Sequence, residues 1–446
     1  MMHVTRHIRQ WTMPLLLAIC MSATAQSIRE EIELIPQRSA GIRYSLPTNE
    51  QLTDTPVPDG KKPFYISHYG SSAAYYLDNT KDYTGPLTTM AKADSLDKLT
   101  PLGQDVLHRL ELIYKDAKLK VGELTEKGAQ QMRQLAQQMV DRFPEVFVKG
   151  SIVDGRSIVR NHNILSMQEA MIQISRACAP MDLRIKSSHS NDAWMYVRDK
   201  DLEADRYNEE TEASYQAFRM ANKDDDRLMN LLFTDADYVK KHVDPIILSD
   251  QLFVVANTIQ DTPLADQVTL YDLFTPDEIY RHWRIHNART YISYGRFALN
   301  GTYQAYSQRA PLWNLLHMGD SVKNIGHPVV HLRYTTRGML TSLICLMELN
   351  GYGLVTADLD QLDKQGWADY RIAPFGASVQ VIHYRKDMDD DDILIKVLLN
   401  GKETRLPIES DCAPYYHWQD AKRYYLRKLY AYERLKYENE TKKQKK

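Results

Sequence analysis

A β-like run ends at Gly70 and two serines follow it, in the stretch YISHYGSSAAYYLDN at residues 65–79. A strand running into a tight Gly/Ser turn is where many α/β enzymes hold a nucleophile. A serine hydroxyl attacks only when a neighbouring base takes its proton. His68 is the nearest such base to Ser71 and Ser72. The stretch lacks the closing glycine of a G-x-S-x-G elbow. Residues this close along one segment also rarely converge on a common point, so a local Ser–His pair is the weaker reading. Histidines offer a second chemistry. His282 and His286 are spaced to share one face of a helix. No third ligand accompanies them, and His162 and His331 stand apart, so packing or surface roles are favoured over a metal. The acidic run DMDDDD at residues 387–392 lacks the glycine and terminal glutamate of a calcium loop and reads as a solvated hairpin turn. There is no dinucleotide or P-loop glycine pattern, no H-E-x-x-H and no C-x-x-C, so no cofactor and no metal are expected.

The elements that must position these residues are legible in outline. With 446 residues, 43% of them hydrophobic and 26% charged, the chain has ample material for a large folded core. A net charge of −2 gives no electrostatic argument for nucleic acid or an anionic membrane. PFYISHYG at residues 63–70 reads as a buried strand. LTPLGQDVLHRLELIYKDAK (99–118) reads as a helix capped by Thr100 with Pro101 at its first position. LTEKGAQQMRQLAQQMVDRFPEVF (124–147) repeats an amphipathic pattern, with Met132, Leu135, Ala136, Met139 and Val140 on one face. VKGSIVDGRSIVR (148–160) reads as a strand, a turn and a second start, and ILSMQEAMIQI (164–174) as helix. HPVVHLRY is again a strand, GMLTSLICLMELNG a buried helix, and GASVQVIHYRK and ILIKVLLNGKE two strands joined by the acidic turn.

This order predicts an α/β fold: a three-layer core with a mainly parallel sheet flanked by helices, plus an inserted, mainly α-helical cap domain. The expected boundaries are 63–178 with 315–435 for the core, 179–314 for the cap, 26–62 for a polar lead-in, and 436–446 for a basic, disordered tail. Residues 1–25 read as a signal peptide. Arg6 and Arg9 supply its charge, residues 13–21 its apolar stretch and residues 23–25 a small-x-small cleavage site. The mature protein is thus expected to be secreted or periplasmic, with no membrane helix. Ile19 before Cys20 makes a poor lipidation box. After cleavage Cys178, Cys345 and Cys412 remain. One disulfide among them is compatible with an oxidising compartment, although Cys345 reads as a buried free thiol.

Several stretches together resemble one family. YISHYG, LTPLGQDVLHRLELI, GELTEKGAQQMRQLAQQM, FPEVF, RSIV followed by ILSM, HLRY followed by LICLMELNG, and ILIKVLLNGKETRLPI are similar to segments of the histidine acid phosphatases. Within the histidine phosphatase superfamily, the chain resembles the bacterial multiple inositol-polyphosphate phosphatases and phytases. The resemblance covers most of the chain and is weakest in the helical middle. It implies phosphoric monoester hydrolysis. A histidine attacks phosphorus, arginines clamp the oxygens, a second histidine adds to the clamp, and a carboxylic acid protonates the leaving alcohol.

Carried over residue by residue, the resemblance places the motif Arg-His-Gly-x-Arg on Ser71, Ser72, Ala73 and Tyr75. The motif Arg-Ser-Thr with a later arginine falls on Arg156, Ser157, Ile158 and His162. The motif Leu-Arg-Phe-Gly-His-Asp falls on Leu332, Arg333, Thr336 and Arg337. The scaffold stretches match, while nearly every position that would touch phosphorus has changed. Neither Ser72 nor Thr336 substitutes for an imidazole, and Arg337 is no acid. The resemblance therefore implies a phosphatase-like protein with no intact catalytic set, acting as a binding or structural module. Its expected partners are a phosphorylated small molecule or an unidentified protein, and Arg156 and Arg337 are its candidate phosphate contacts. The alternative is an active phosphomonoesterase with a rearranged site that recruits His68, His162 or His331.

Overall fold

Runs rich in Val, Ile, Leu and Tyr lead into strands buried on both faces, the pattern of a sheet covered by helices on each side. The computed structural model describes residues 27–177, 180–223 and 225–444. In chain order the sheet strands are β1 (Lys62–Ser71), β2 (Ile152–Ser157), β3 (Asp182–Ser187), β4 (Val329–Thr335), β5 (Ser378–Arg385), β6 (Leu394–Leu399), β7 (Lys402–Glu403) and β8 (Tyr415–His417). Their spatial order is β8-β6-β5-β1-β4-β2-β3, with β7 paired to β6. Strands β1, β4, β2 and β3 are mutually parallel. Strand β5 runs against β1, and β6 against β5. The β5–β6 hairpin closes through the acidic run at residues 387–392, as expected.

Alternation along β1 divides the core. Ile66 points into one apolar layer with Val153, Leu332, Met132, Met139, Met167 and Met171. Two helices supply that layer, α1 (Glu126–Arg142) and α2 (Asn161–Ala177). Tyr65 and Tyr69 point to the opposite layer, with Val329, Val381, Leu312, Leu340 and Trp418. Helices α3 (Arg309–Ser321), α4 (Arg337–Met347) and α5 (Trp418–Gln444) cover it. A third apolar cluster is helical. Helices Thr80–Asp94 and Pro101–Ala117 pack there with Pro245–Ile259 and Pro276–Tyr294, around Phe253 and Trp283. Strand β3, at the sheet edge, and the helices from Asp192–Met195 to Pro276–Tyr294 lie between residues 179 and 314.

Three local readings are corrected. The lead-in is ordered at its start: helix Ile28–Leu34 carries a capping box between Ser27 and Glu30, and a 3-10 segment follows at Pro36–Arg43. Residues 152–157 form one continuous strand with no turn at Asp154-Gly155. A Cβ at Gly155 would meet Met171 Sδ at 2.9 Å, so this glycine serves the close approach of α2 to the sheet. Helix α5 continues past residue 436 to Gln444, and its first half is anchored by the buried stripe Trp418, Ala421, Tyr425, Leu429 and Tyr432 at helical spacing. The expected signal segment and Cys178 lie outside the described residues. Cys345 is a buried free thiol, as read from sequence, and Cys412 is also free. Burial pushes the Cys345 thiol up to about 12.

Candidate functional site

The carboxyl ends of the parallel strands β1, β4 and β2 meet at one level, with Ser71 opposite Thr335 and Ser157 opposite Tyr334. In open α/β sheets this end is where ligands bind. Three segments leave it: residues 72–78 from β1, Thr336-Arg337 from β4, and Ile158 through His162 from β2.

The first segment is held by its backbone. Ser71 N–H donates to Ala377 O at 2.8 Å, and Ser72 O accepts from Gly376 N–H at 2.9 Å. Ala73 N–H donates to Ser166 Oγ on α2 at 3.1 Å. Ala74 O accepts from Thr125 N–H at 3.0 Å. Thr125 also caps α1 through Gly128 N–H, and a Cβ at Gly128 would fall 2.1 Å from Ala74 O. Only glycine lets α1 start this close to the loop. Ser71 and Ser72 are buried. Ser71 Oγ donates to Pro374 O at 3.1 Å, and no histidine nitrogen is hydrogen-bonded to either serine among the described residues.

Side chains from all three segments then pack together. The Tyr75 ring stacks on the His162 imidazole, with centroids 3.9 Å apart and planes 3° apart. The Tyr75 hydroxyl accepts from Arg337 Nη2 at 2.8 Å and donates to Asp78 Oδ2 at 3.3 Å. The Arg337 guanidinium carbon sits 4.1 Å from the centre of the Phe375 ring and 5.1 Å from that of Tyr75, close enough for cation–π attraction to both. Phe375 meets Tyr75 edge-on at 5.2 Å. His162 Nδ1 lies 3.4 Å from Asp78 Oδ1. Burial holds the His162 pKa below its usual value, opposed by Asp78. Burial pushes Asp78 up, but the His162 hydrogen bond and the nearby charges leave it below the usual carboxylate range.

Arg337 is 8% exposed, and its Nη1 has no hydrogen-bond partner among the described residues. Burial lowers its pKa. Thr336, beside it, is the N-cap of α4, its Oγ1 accepting from Met339 N–H at 3.3 Å.

The remaining sequence candidates lie elsewhere. Arg156 is not part of this cluster: its Nε pairs with Asp154 at 2.8 Å, and its guanidinium lies over Trp194. Its position in the strand turns it to the sheet face carrying His331 and Arg333. His68 is buried, and neither ring nitrogen has a hydrogen-bond partner. Its ring lies against Gly70, and burial pushes its pKa down to about 3. His331 Nδ1 is 3.0 Å from the Tyr65 hydroxyl, on the opposite sheet face from His68. His282 and His286 do share a face, as spaced, and both stack on Phe253. His282 also contacts Ser249 at 3.2 Å and lies 3.6 Å from Asp250. In the acidic turn, Asp390 and Asp392 take the ammonium of Lys61 at 3.0 and 3.2 Å. Asp78 and Phe375, which complete the strand-end cluster, carried no sequence signal beyond Asp78 lying three residues after Tyr75.

Among solved structures, the chain is similar to the multiple inositol polyphosphate phosphatase of Bifidobacterium longum. The form in complex with inositol hexasulfate matches with a TM-score of 0.69 at 14% identity, covering 86% of this chain and 97% of that one. The apo form gives 0.70 at 13% identity, with the same coverage. The phytase from D. castellii matches at 0.64 and 12% identity, covering 88% of this chain and 85% of that one. The fold is that of these phosphatases and phytases. No family model matches, and no curated protein matches. The phosphatase-like fold expected from the sequence is therefore present over most of the chain. Among the described residues no helix is long and apolar enough to cross a membrane.

Proposed function

We propose that this is a secreted, histidine-acid-phosphatase-like protein without phosphomonoesterase activity, acting as a binding or structural module. The observation that carries this reading is the packing of Tyr75 on His162, with Arg337 held over Phe375 and bonded to the Tyr75 hydroxyl. The resemblance carries the attacking histidine onto Ser72, the second histidine onto Thr336 and the acid onto Arg337. In the structure Ser72 is buried in a backbone-held loop, Thr336 caps a helix, and Arg337 lies over the Phe375 ring and donates to the Tyr75 hydroxyl. None of these side chains is placed as a nucleophile beside a base, and loss of one member of a concerted set already costs orders of magnitude in rate. Secretion rests on the charged, apolar and small-residue pattern of residues 1–25.

A phosphorylated small molecule is the ligand class this address suits. Arg337 brings a buried cation with an unpaired Nη1, and one of the fold neighbours was solved with inositol hexasulfate. The reading is tested with p-nitrophenyl phosphate and phytate from acid to neutral pH. The expected result is no turnover above the blank. Turnover that disappears in His162→Ala sinks the proposal and supports the second reading, an active phosphomonoesterase with a rearranged site. That second reading is favoured by one observation, the His162–Asp78 pair, which is the kind of contact that orients a working imidazole.

A further inference from the structure

The sheet face beneath α3 holds a basic cavity of 380 Å³, lined by residues distinct from the Tyr75–His162–Arg337 cluster. Arg156 on β2 and Arg333 on β4 face each other in register across adjacent parallel strands. Trp194 covers both, its ring centre 5.6 Å from one guanidinium carbon and 5.2 Å from the other. Arg184, on the edge strand in register with Asp154, completes the lining on that side, and Asn314 of α3 stands opposite. Asp154 is the one carboxylate among the lining residues.

The charges do not balance. Asp154 is taken by Arg156 Nε at 2.8 Å, and Arg184 pairs with Asp182. Arg333 has no such partner among the described residues. It is 2% exposed, and among the described residues its Nε and Nη1 lack any hydrogen-bond partner and no carboxylate lies within 4.0 Å of it. His331 offers no counter-charge, being a neutral imidazole against the Tyr65 hydroxyl. A buried guanidinium with unpaired donors is strongly unfavourable unless an anion completes it. Nε and Nη1 lie on different edges of the guanidinium. A planar carboxylate spends both oxygens on a single guanidinium edge, whereas a tetrahedral oxyanion that engages one edge of Arg333 keeps further oxygens for Arg156.

We infer that this cavity binds a tetrahedral oxyanion, held by Arg333 and Arg156 beneath Trp194. The shared chemistry is a phosphate-type group, either free or at the end of a small molecule. The inference is independent of the proposed function, because the site lies on the sheet face and not at the strand ends.

The test is calorimetric titration of the protein, at low and constant ionic strength, with inorganic phosphate, sulfate and glycerol phosphate. Saturable binding is expected, with phosphate and glycerol phosphate separating a free ion from a terminal group. Arg333→Gln is expected to weaken it by about tenfold or more, the loss of charge-assisted hydrogen bonds. Should Arg333→Gln fail to fold, the anion-dependent change in tryptophan fluorescence, expected to vanish in Trp194→Phe, carries the test alone. Absence of any saturable heat or fluorescence change up to about 20 mM of each anion overturns the inference. So does binding that survives Arg333→Gln and is lost in Arg337→Gln, which places the anion at the strand ends instead.

Discussion

The phenol ring of Tyr75 lies flat on the imidazole of His162, 3.9 Å away and within 3° of parallel, and its hydroxyl receives a proton-donating nitrogen of Arg337 at 2.8 Å. One side chain thus joins the segments leaving β1, β2 and β4 at the carboxyl ends of the parallel strands. Removing it should be costly. Tyr75→Ala is expected to destabilise the fold by about 3–5 kcal/mol through the cavity and the lost partner of a buried guanidinium. Tyr75→Phe keeps the stack and should cost about 1–2 kcal/mol. Urea unfolding measures both, and equal losses for the two variants would contradict the assigned roles.

Thr336 is read as a helix cap. Thr336→Ala should therefore lower stability by about 1 kcal/mol, and Thr336→Ser should recover most of it. Equilibrium unfolding of the pair checks this. A Ser variant no better than Ala would remove the cap from the account.

Placing the phosphatases' residue types at Ser71 and Ser72 should not confer catalysis. Ser71 and Ser72 are 0% and 2% exposed, so Ser71→Arg with Ser72→His forces bulk into closed positions, at a cost of about 1–3 kcal/mol each. The combined variant is expected to be less stable and still inactive on p-nitrophenyl phosphate. Measurable turnover from a stably folded variant would show that the strand ends open more readily than their packing implies.

Acid should weaken the protein at pH values where the carboxylates are still ionised. Burial pushes His68 and His383 down to about 3 and His286 to about 4. Such groups are neutral when folded and take up a proton on unfolding below about 6.5. Their contribution is complete above that value and declines as pH falls towards the folded pKa. By about pH 5 His68 and His383 each remove about 2 kcal/mol. Asp369 works the other way, its carboxyl raised to about 6 by burial, and offsets part of the loss. The urea midpoint should be clearly lower at about pH 5 than at about pH 7.5. A midpoint that holds or rises on acidification is the outcome that refutes this.

Gly128→Ala tests how tightly the loop is held. Its new Cβ would fall 2.1 Å from Ala74 O, so α1 or the loop must shift, with an expected loss of about 1–3 kcal/mol. A neutral effect on the melting temperature would mean that the loop yields freely.

The sequence carried the fold further than the site. Thr100 before Pro101, the Met-rich stripe of α1 and the acidic turn between β5 and β6 are local signals, and each sits where its pattern placed it. Arg156 shows where such reading stops. Whether it reaches the strand ends or the sheet face depends on strand alternation, and reading residues 148–160 as a strand, a turn and a second start interrupts that alternation. Gly155 is instead accommodating Met171 of a helix that the turn reading did not take into account. The Tyr75–His162 stack joins positions far apart in sequence, and no periodicity encodes a contact made by converging strand ends. The tail differs for the reverse reason: its lysine-rich composition suggests disorder, while the helix anchored further back by the buried stripe of α5 runs on to Gln444.

The loop after β1 is tied down almost wholly by main-chain atoms, through Ala377, Gly376, Ser166 and Thr125. Its course is dictated by what surrounds it and makes little demand on the identity of residues 71–74 beyond small size. A segment anchored in this way can exchange its side chains without losing its trace.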